Sequence, residues 1–145
     1  MGYVLDTCIF NHLCDGKLSI SDLPSDQYFV ASSIQKIEID NTTDSDRRDT
    51  LIKKFVEIDA TMIPVESTVY GFSHFGAPDA HYGKVGKYYL EVLERLNATK
   101  TKKSNIGDAL IAEIALANQH TLITADRVLF EVMENMQAAV IYFEV

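Results

Sequence analysis

The sequence predicts an α/β fold, a central mostly parallel sheet with helices on both faces. Three observations predict it. Short apolar strand-like stretches alternate with helical stretches along the whole chain. Two of those stretches, "YVLD" and "TLITAD", end on an acid. No internal repeat, low-complexity segment or Pro/Gly/Ser linker interrupts the alternation.

In order, "YVL" (3–5) reads as a short buried strand, and "TCIFNHLC" places Ile9, Phe10 and Leu13 at helical spacing before "DG" stops it. "YFVAS" (28–32) is a second strand. The helix after it turns Ile34, Ile37 and Ile39 inward, and "DTLIKKFVEI" is another, with Leu51, Ile52, Phe55 and Val56 on one stripe. The segment from Gly71 begins as a glycine-containing loop and becomes a helix from about Lys84 to Asn97. "SNIGDALIAEIALANQ" is a strong helix in which Asn105 caps and Asp108 stands three positions later, in capping-box geometry. "HTLITAD" then forms a strand, "RVLFEVMENM" a helix and "AAVIYFEV" a closing strand. Helices of this length between strands imply a parallel sheet covered on both sides.

At 145 residues and 47% hydrophobic, residues 1–145 read as one domain able to bury a core without disulfides or structural metal. The longest apolar run, "ALIAEIALA", is broken by Glu113 and is too short to span a bilayer, and Tyr3 follows Met1 too closely for a signal peptide. A soluble, cytoplasmic chain is expected. Cys8 and Cys14, the only cysteines, are six residues apart, roughly 9 Å along a shared helix, which exceeds disulfide reach. A net charge of −8 disfavours nucleic-acid binding through a general basic surface. Any nucleic-acid reading must explain the acids.

The topology supplies that explanation. Ligand crevices in open parallel sheets lie outside the carboxyl ends of the strands, where Asp6 and Asp126 fall. Glu38 sits in the early turns of the helix that leaves the same edge, and the Asp108 helix starts there before feeding the "HTLITAD" strand. Four carboxylates gathered at one edge repel one another, and a hard cation is the natural reason to collect them. Oxygen-only ligation selects Mg²⁺ or Mn²⁺ over Zn²⁺. Metal-dependent phosphodiester hydrolysis is the chemistry that follows.

"YVLDTCIF", "SSIQKIEI", "NIGDALIAEIAL" and "LITADRVLF" together resemble the four acidic motifs of PIN-domain nucleases, especially the VapC-like toxins of bacterial and archaeal toxin–antitoxin pairs. The similarity runs from Tyr3 to Phe143. It implies a PIN-like three-layer sandwich, with Asp6, Glu38, Asp108 and Asp126 as catalytic, metal-binding acids and the Thr7 and Thr124 hydroxyls behind them. The resemblance further implies a single-strand-specific ribonuclease that uses Mg²⁺ or Mn²⁺, forms a homodimer and is neutralised by a small antitoxin protein. The chain departs from the pattern at Cys8, where the family often has Ser or Asn, at the spacing of Phe130 from Asp126, and in the Gly71 to Gly86 segment.

Each residue also has a plainer reading. Asp6 and Asp126 cap helices, Asp108 completes a capping box, and Glu38 is an exposed helix residue. The occurrence of all four in order favours the site. Lys100, Lys102, Lys103 and Arg127 either hold phosphates beside the cleft or solvate a loop. Arg47, Arg48, Lys53 and Lys54 read as a charged helix face, and Asn11, Ser33 and Asp40 as surface residues. An aspartyl phosphotransferase is disfavoured because Cys8 occupies the second acid position of its motif, and His74, Asp79 and His81 have no compact zinc spacing. A housekeeping PIN nuclease and a non-catalytic PIN-fold module are the remaining alternatives.

Overall fold

The computed structural model describes residues 1–67 and 85–145. Most of the Gly71 to Gly86 segment, with His74, Asp79 and His81, lies outside the described residues, as does Lys84. The strands β1 (Tyr3–Leu5), β2 (Phe29–Ala31), β3 (Thr61–Met62), β4 (Thr121–Thr124) and β5 (Val140–Tyr142) form one sheet in the order β3-β2-β1-β4-β5. Every pairing is parallel. The helices are α1 (Thr7–Cys14), α2 (Ser33–Asp40), α3 (Ser45–Ile58), α4 (Lys87–Thr99), α5 (Ser104–Asn118) and α6 (Arg127–Asn135).

Side chains alternate across a strand, and β1 and β4 use that alternation to feed two cores. Val4 and Leu122, paired in register, pack with α4, α5 and α6, whereas Leu5 and Ile123, the next pair, pack with α1 and α3. The result is a three-layer sandwich. Helix α2 joins both layers, giving Ile34 to the first core and Ile39 to the second. Helix α5 is the most enclosed of the helices, buried without a break from Ala109 to Ala115.

The β1 to β3 half of the sheet grows one way from β1, and β4 and β5 grow the other way. The strand order therefore reverses between β1 and β4, where a doubly wound sheet leaves its crevice.

Two sequence expectations are corrected. The α3 stripe consists of Leu51 and Ile58, with Phe55 partly buried; Ile52 is 39% and Val56 68% exposed. Positions 51, 55 and 58 keep the i, i+4, i+7 stripe of a narrow contact, while 52 and 56 lie to one side of it. Asn105 is no cap, because α5 starts a residue earlier, with Lys103 at the cap position. Its buried amide instead donates to Asn97 Oδ1 at 2.9 Å and to the Lys100 carbonyl at 2.7 Å, holding the α4–α5 connection. Asp108 thus sits one turn inside α5 and completes no capping box.

The start of α4 depends on α5. Ser67 Oγ accepts the Gly86 N–H at 2.7 Å and donates to Glu113 Oε2, also at 2.7 Å. A Cβ at position 86 would stand 2.4 Å from that Glu113 oxygen, so a side chain there would push the carboxylate off its present position.

Candidate active site

The carboxyl ends of β1 and β4 are held together by side chains. The Asp6 backbone N–H continues the sheet by donating to the Ile123 carbonyl at 2.9 Å. The carboxylate, 2% exposed, accepts from the Thr7 N–H at 2.8 Å on Oδ1, and from Thr124 Oγ1 at 2.8 Å and Cys8 Sγ at 3.2 Å on Oδ2. Cys8 Sγ also accepts the Ala125 N–H at 3.3 Å. Asp6 is thereby tied to both strands.

Glu38 arrives by a different route. Ser32 caps α2, accepting from the Ile34 N–H, while Gln35 Oε1 accepts the Ser32 N–H at 2.9 Å and Gln35 Nε2 donates to the Leu5 carbonyl at 3.3 Å. This capping box fixes the first turn of α2 against β1, and Glu38 follows one turn later. Its Oε1 accepts from Thr7 Oγ1 at 2.8 Å. Asp126 caps α6, its Oδ1 accepting from the Val128 and Leu129 N–H groups at 2.9 and 3.2 Å. The plainer reading of Asp126 is therefore also satisfied.

The four acids act on one another. Burial, then the charges of Asp6, Asp126 and Glu38, raise Asp108 to about 8, against a partial offset from the Lys102 ammonium. Burial chiefly raises Glu38 to about 7, with Asp6 adding to the rise and the Thr7 hydroxyl opposing it. Asp6 is also raised by burial despite its hydroxyl and thiol donors. Burial and the neighbouring Asp6 push the Cys8 thiol up, so it serves as a neutral donor.

Several carboxylate oxygens remain free among the described residues. Glu38 Oε2, Asp126 Oδ2 and both Asp108 oxygens accept no hydrogen bond from them. As arranged, however, no three acidic, imidazole or thiol groups among the described residues have the spacing of a formed metal site. The acids share a field rather than a coordination sphere.

Comparison with known proteins places this architecture. No family model matches the sequence, and no curated protein matches it. Among solved structures, the chain is similar to one in the crystal structure of VapBC2 from Rickettsia felis bound to a promoter DNA fragment. The two are 19% identical over 99% of this chain and 100% of the other, with a TM-score of 0.63. VapBC-1 from nontypeable Haemophilus influenzae is 17% identical over 98% of each chain, at 0.55. A domain of a functionally unknown protein from Methanocaldococcus jannaschii is 14% identical over 99% and 91%, at 0.53.

The fold is PIN-like.

Within that PIN-like frame, Asp6, Glu38, Asp108 and Asp126 lie in one neighbourhood, with Thr7 and Thr124 bonded to two of them. Of the basic candidates, Lys102 is close enough to act on Asp108, and Lys100 and Lys103 are exposed on the same α4–α5 connection. Arg127 turns along α6 to pair with Glu131 at 3.1 Å. Arg47 pairs with Asp15 and donates to Asn11 Oδ1, bracing α3 against α1.

Sequence reasoning missed two contributors. Cys8 is a structural tie between the ends of β1 and β4, a role its proximity to Asp6 in sequence does not reveal. Asn105 lines a cavity beside Asp126. Its amide bonding depends on the path of the α4–α5 connection, which has no sequence signature.

Proposed function

We propose that this protein is a metal-dependent endoribonuclease that cleaves RNA phosphodiester bonds, and that it is the toxin of a toxin–antitoxin pair. The observation that carries the reading is the gathering of Asp6, Glu38, Asp108 and Asp126 at the β1/β4 crevice with unspent carboxylate oxygens among them, where burial first and neighbouring carboxylates second raise Asp6, Glu38 and Asp108. A buried group of acids that raises its own pKa values is costly without a ligand, and functional sites concentrate such groups.

The donor set fits a hard divalent cation, Mg²⁺ or Mn²⁺, because the free donors are carboxylate oxygens and the one thiol is held protonated. Such an ion would supply Lewis-acid polarisation of a phosphate and activation of water. Asp6, Glu38, Asp108 and Asp126 would hold it. The protein's own part is positional: Thr124 and Cys8 fix the Asp6 carboxylate, Thr7 fixes Glu38, and the α6 N-terminus fixes Asp126. Lys100, Lys102 and Lys103, exposed on the α4–α5 connection, would meet flanking phosphates.

The likeness to chains of VapBC complexes supports a small antitoxin protein as partner, and a homodimer and a cytoplasmic location complete the proposal. No helix among the described residues is long and apolar enough to cross a membrane. The test is cleavage of single-stranded RNA with Mg²⁺ or Mn²⁺ and with EDTA, by the parent and by Asp6→Asn. Metal-dependent cleavage lost in the variant, with unchanged circular dichroism, is expected. Equal cleavage by both proteins removes Asp6 from the site, and no cleavage by the parent leaves the non-catalytic module.

A further inference from the structure

Beside the acids, a cavity of about 240 Å³ opens between the end of α4, the start of α5 and the start of α6. Leu96, Thr99, Lys100, Lys102, Asn105, Asp126 and Val128 line it. At roughly 30 Å³ per water it holds about eight water volumes, room for a single flat ring system but below the size of a drug-like ligand site.

Its chemistry is divided. Leu96 and Val128 form apolar walls, Lys100 and Lys102 stand exposed at the rim, and Asp126 joins the cavity to the acid cluster. Lys102 is shared as well, since its charge reaches Asp108. Asn105 is 1% exposed. Both hydrogens of its amide are spent on Asn97 and Lys100, so Oδ1 is the only side-chain atom it has left for a ligand. A ligand suited to this lining is flat and apolar on its faces, carries an N–H at its edge and is attached to phosphate.

We propose that the cavity is a subsite for one nucleobase of the RNA strand, held between Leu96 and Val128, with its amino or imino N–H donating to Asn105 Oδ1. The inference rests on the ribonuclease reading and adds a specificity element to it. The base enters the cavity, the phosphates on either side meet Lys100 and Lys102, and the backbone is thereby led to Asp126. Buried groups that expect a hydrogen-bond donor discriminate against a ligand lacking one, because the acceptor is then left unpaired.

The experiment titrates nucleoside 5′-monophosphates into the ¹⁵N-labelled protein in EDTA, with ribose 5-phosphate as the probe lacking a base. Saturable shifts at Leu96, Lys102, Asn105 and Val128 are expected with nucleotides, at least tenfold tighter than any from ribose 5-phosphate. Thr99→Phe, placed on the exposed rim, puts a ring into the cavity while leaving the Asn105 residue itself in place, and should weaken nucleotide binding at least tenfold.

A parallel assay cleaves RNA oligonucleotides that are abasic at successive positions. The parent should slow about tenfold when one position loses its base, and Thr99→Phe should not distinguish that position. Equal binding of ribose 5-phosphate, or nucleotide binding that survives Thr99→Phe, overturns the subsite. Base-dependent binding without any metal-dependent cleavage supports the subsite and overturns the ribonuclease reading instead.

Discussion

Thr124 Oγ1 donates to Asp6 Oδ2 at 2.8 Å across 118 residues of sequence, and the same oxygen accepts the Asp126 N–H at 3.0 Å. One hydroxyl therefore sets two of the acids. Thr124→Val keeps the shape but leaves the buried Asp6 oxygen with only the weak Cys8 thiol donor, a loss of about 1–3 kcal/mol. The urea midpoint should fall accordingly and cleavage should drop at least tenfold, while Thr124→Ser retains both. A valine variant matching the parent in both assays would show that the hydroxyl does not support Asp6.

Stability of the metal-free protein should fall as pH rises from about 4 to about 8. Folded Asp108 and Glu38 hold their protons up to about 8 and about 7, above the ordinary 3.8 and 4.5 expected of the unfolded chain. Between those limits the folded state binds more protons than the unfolded state, so each rise in pH favours unfolding. In EDTA the urea midpoint should be lower at pH 8 than at pH 5, and Asp108→Asn should flatten the difference. Mn²⁺ should restore the parent at pH 8 by binding the folded state. A midpoint that climbs between pH 5 and 8 contradicts the clustered-acid account.

Asp126 separates two roles by substitution. Asparagine also caps helices well, so Asp126→Asn keeps the α6 cap and removes a charge that bears on Asp6 and Asp108. Its melting temperature in EDTA should equal or exceed the parent's, whereas Asp126→Ala should lose about 1 kcal/mol with the cap. Only the parent should gain strongly from Mn²⁺. If the asparagine variant melts lower in EDTA and responds to Mn²⁺ as the parent does, Asp126 is a cap and nothing more.

The lysines and Arg127 should behave differently. Lys100, Lys102 and Lys103 changed together to Ala should weaken RNA binding across sequences and flatten its dependence on salt. Arg127→Ala should change that slope little, because the guanidinium is engaged by Glu131. An unchanged slope in the triple variant assigns those lysines to solvent.

The strand-end acids were legible because a parallel sheet places its crevice by topology, and the sequence marks strand ends with "LD" and "TAD". Helices α1, α5 and α6 were legible from periodicity. The two-residue β3 was not, since Thr61 and Met62 are both exposed and show no alternation. Ile52 and Val56 misled because hydrophobic type does not report on which side of α3 a neighbour stands. Asn105 misled because a capping residue and a buried amide lock have the same letter. Repulsion among the acids was legible from their gathering at one edge, but the larger cause of the elevation of Asp108 and Glu38, burial, carried no sequence sign.

The placement of β4 beside β1 has a consequence in time. While the chain is being synthesised, Asp6 emerges first, yet its partner hydroxyl and the strand that flanks it come 118 residues later. Domains acquire long-range contacts only after the distant segment is available. A nascent chain that has not yet emerged through β4 has one half of the crevice and no second wall. The crevice is thus a property of the finished β1–β4 pairing, and a chain cut short before Thr124 carries Asp6 without the hydroxyl that holds it.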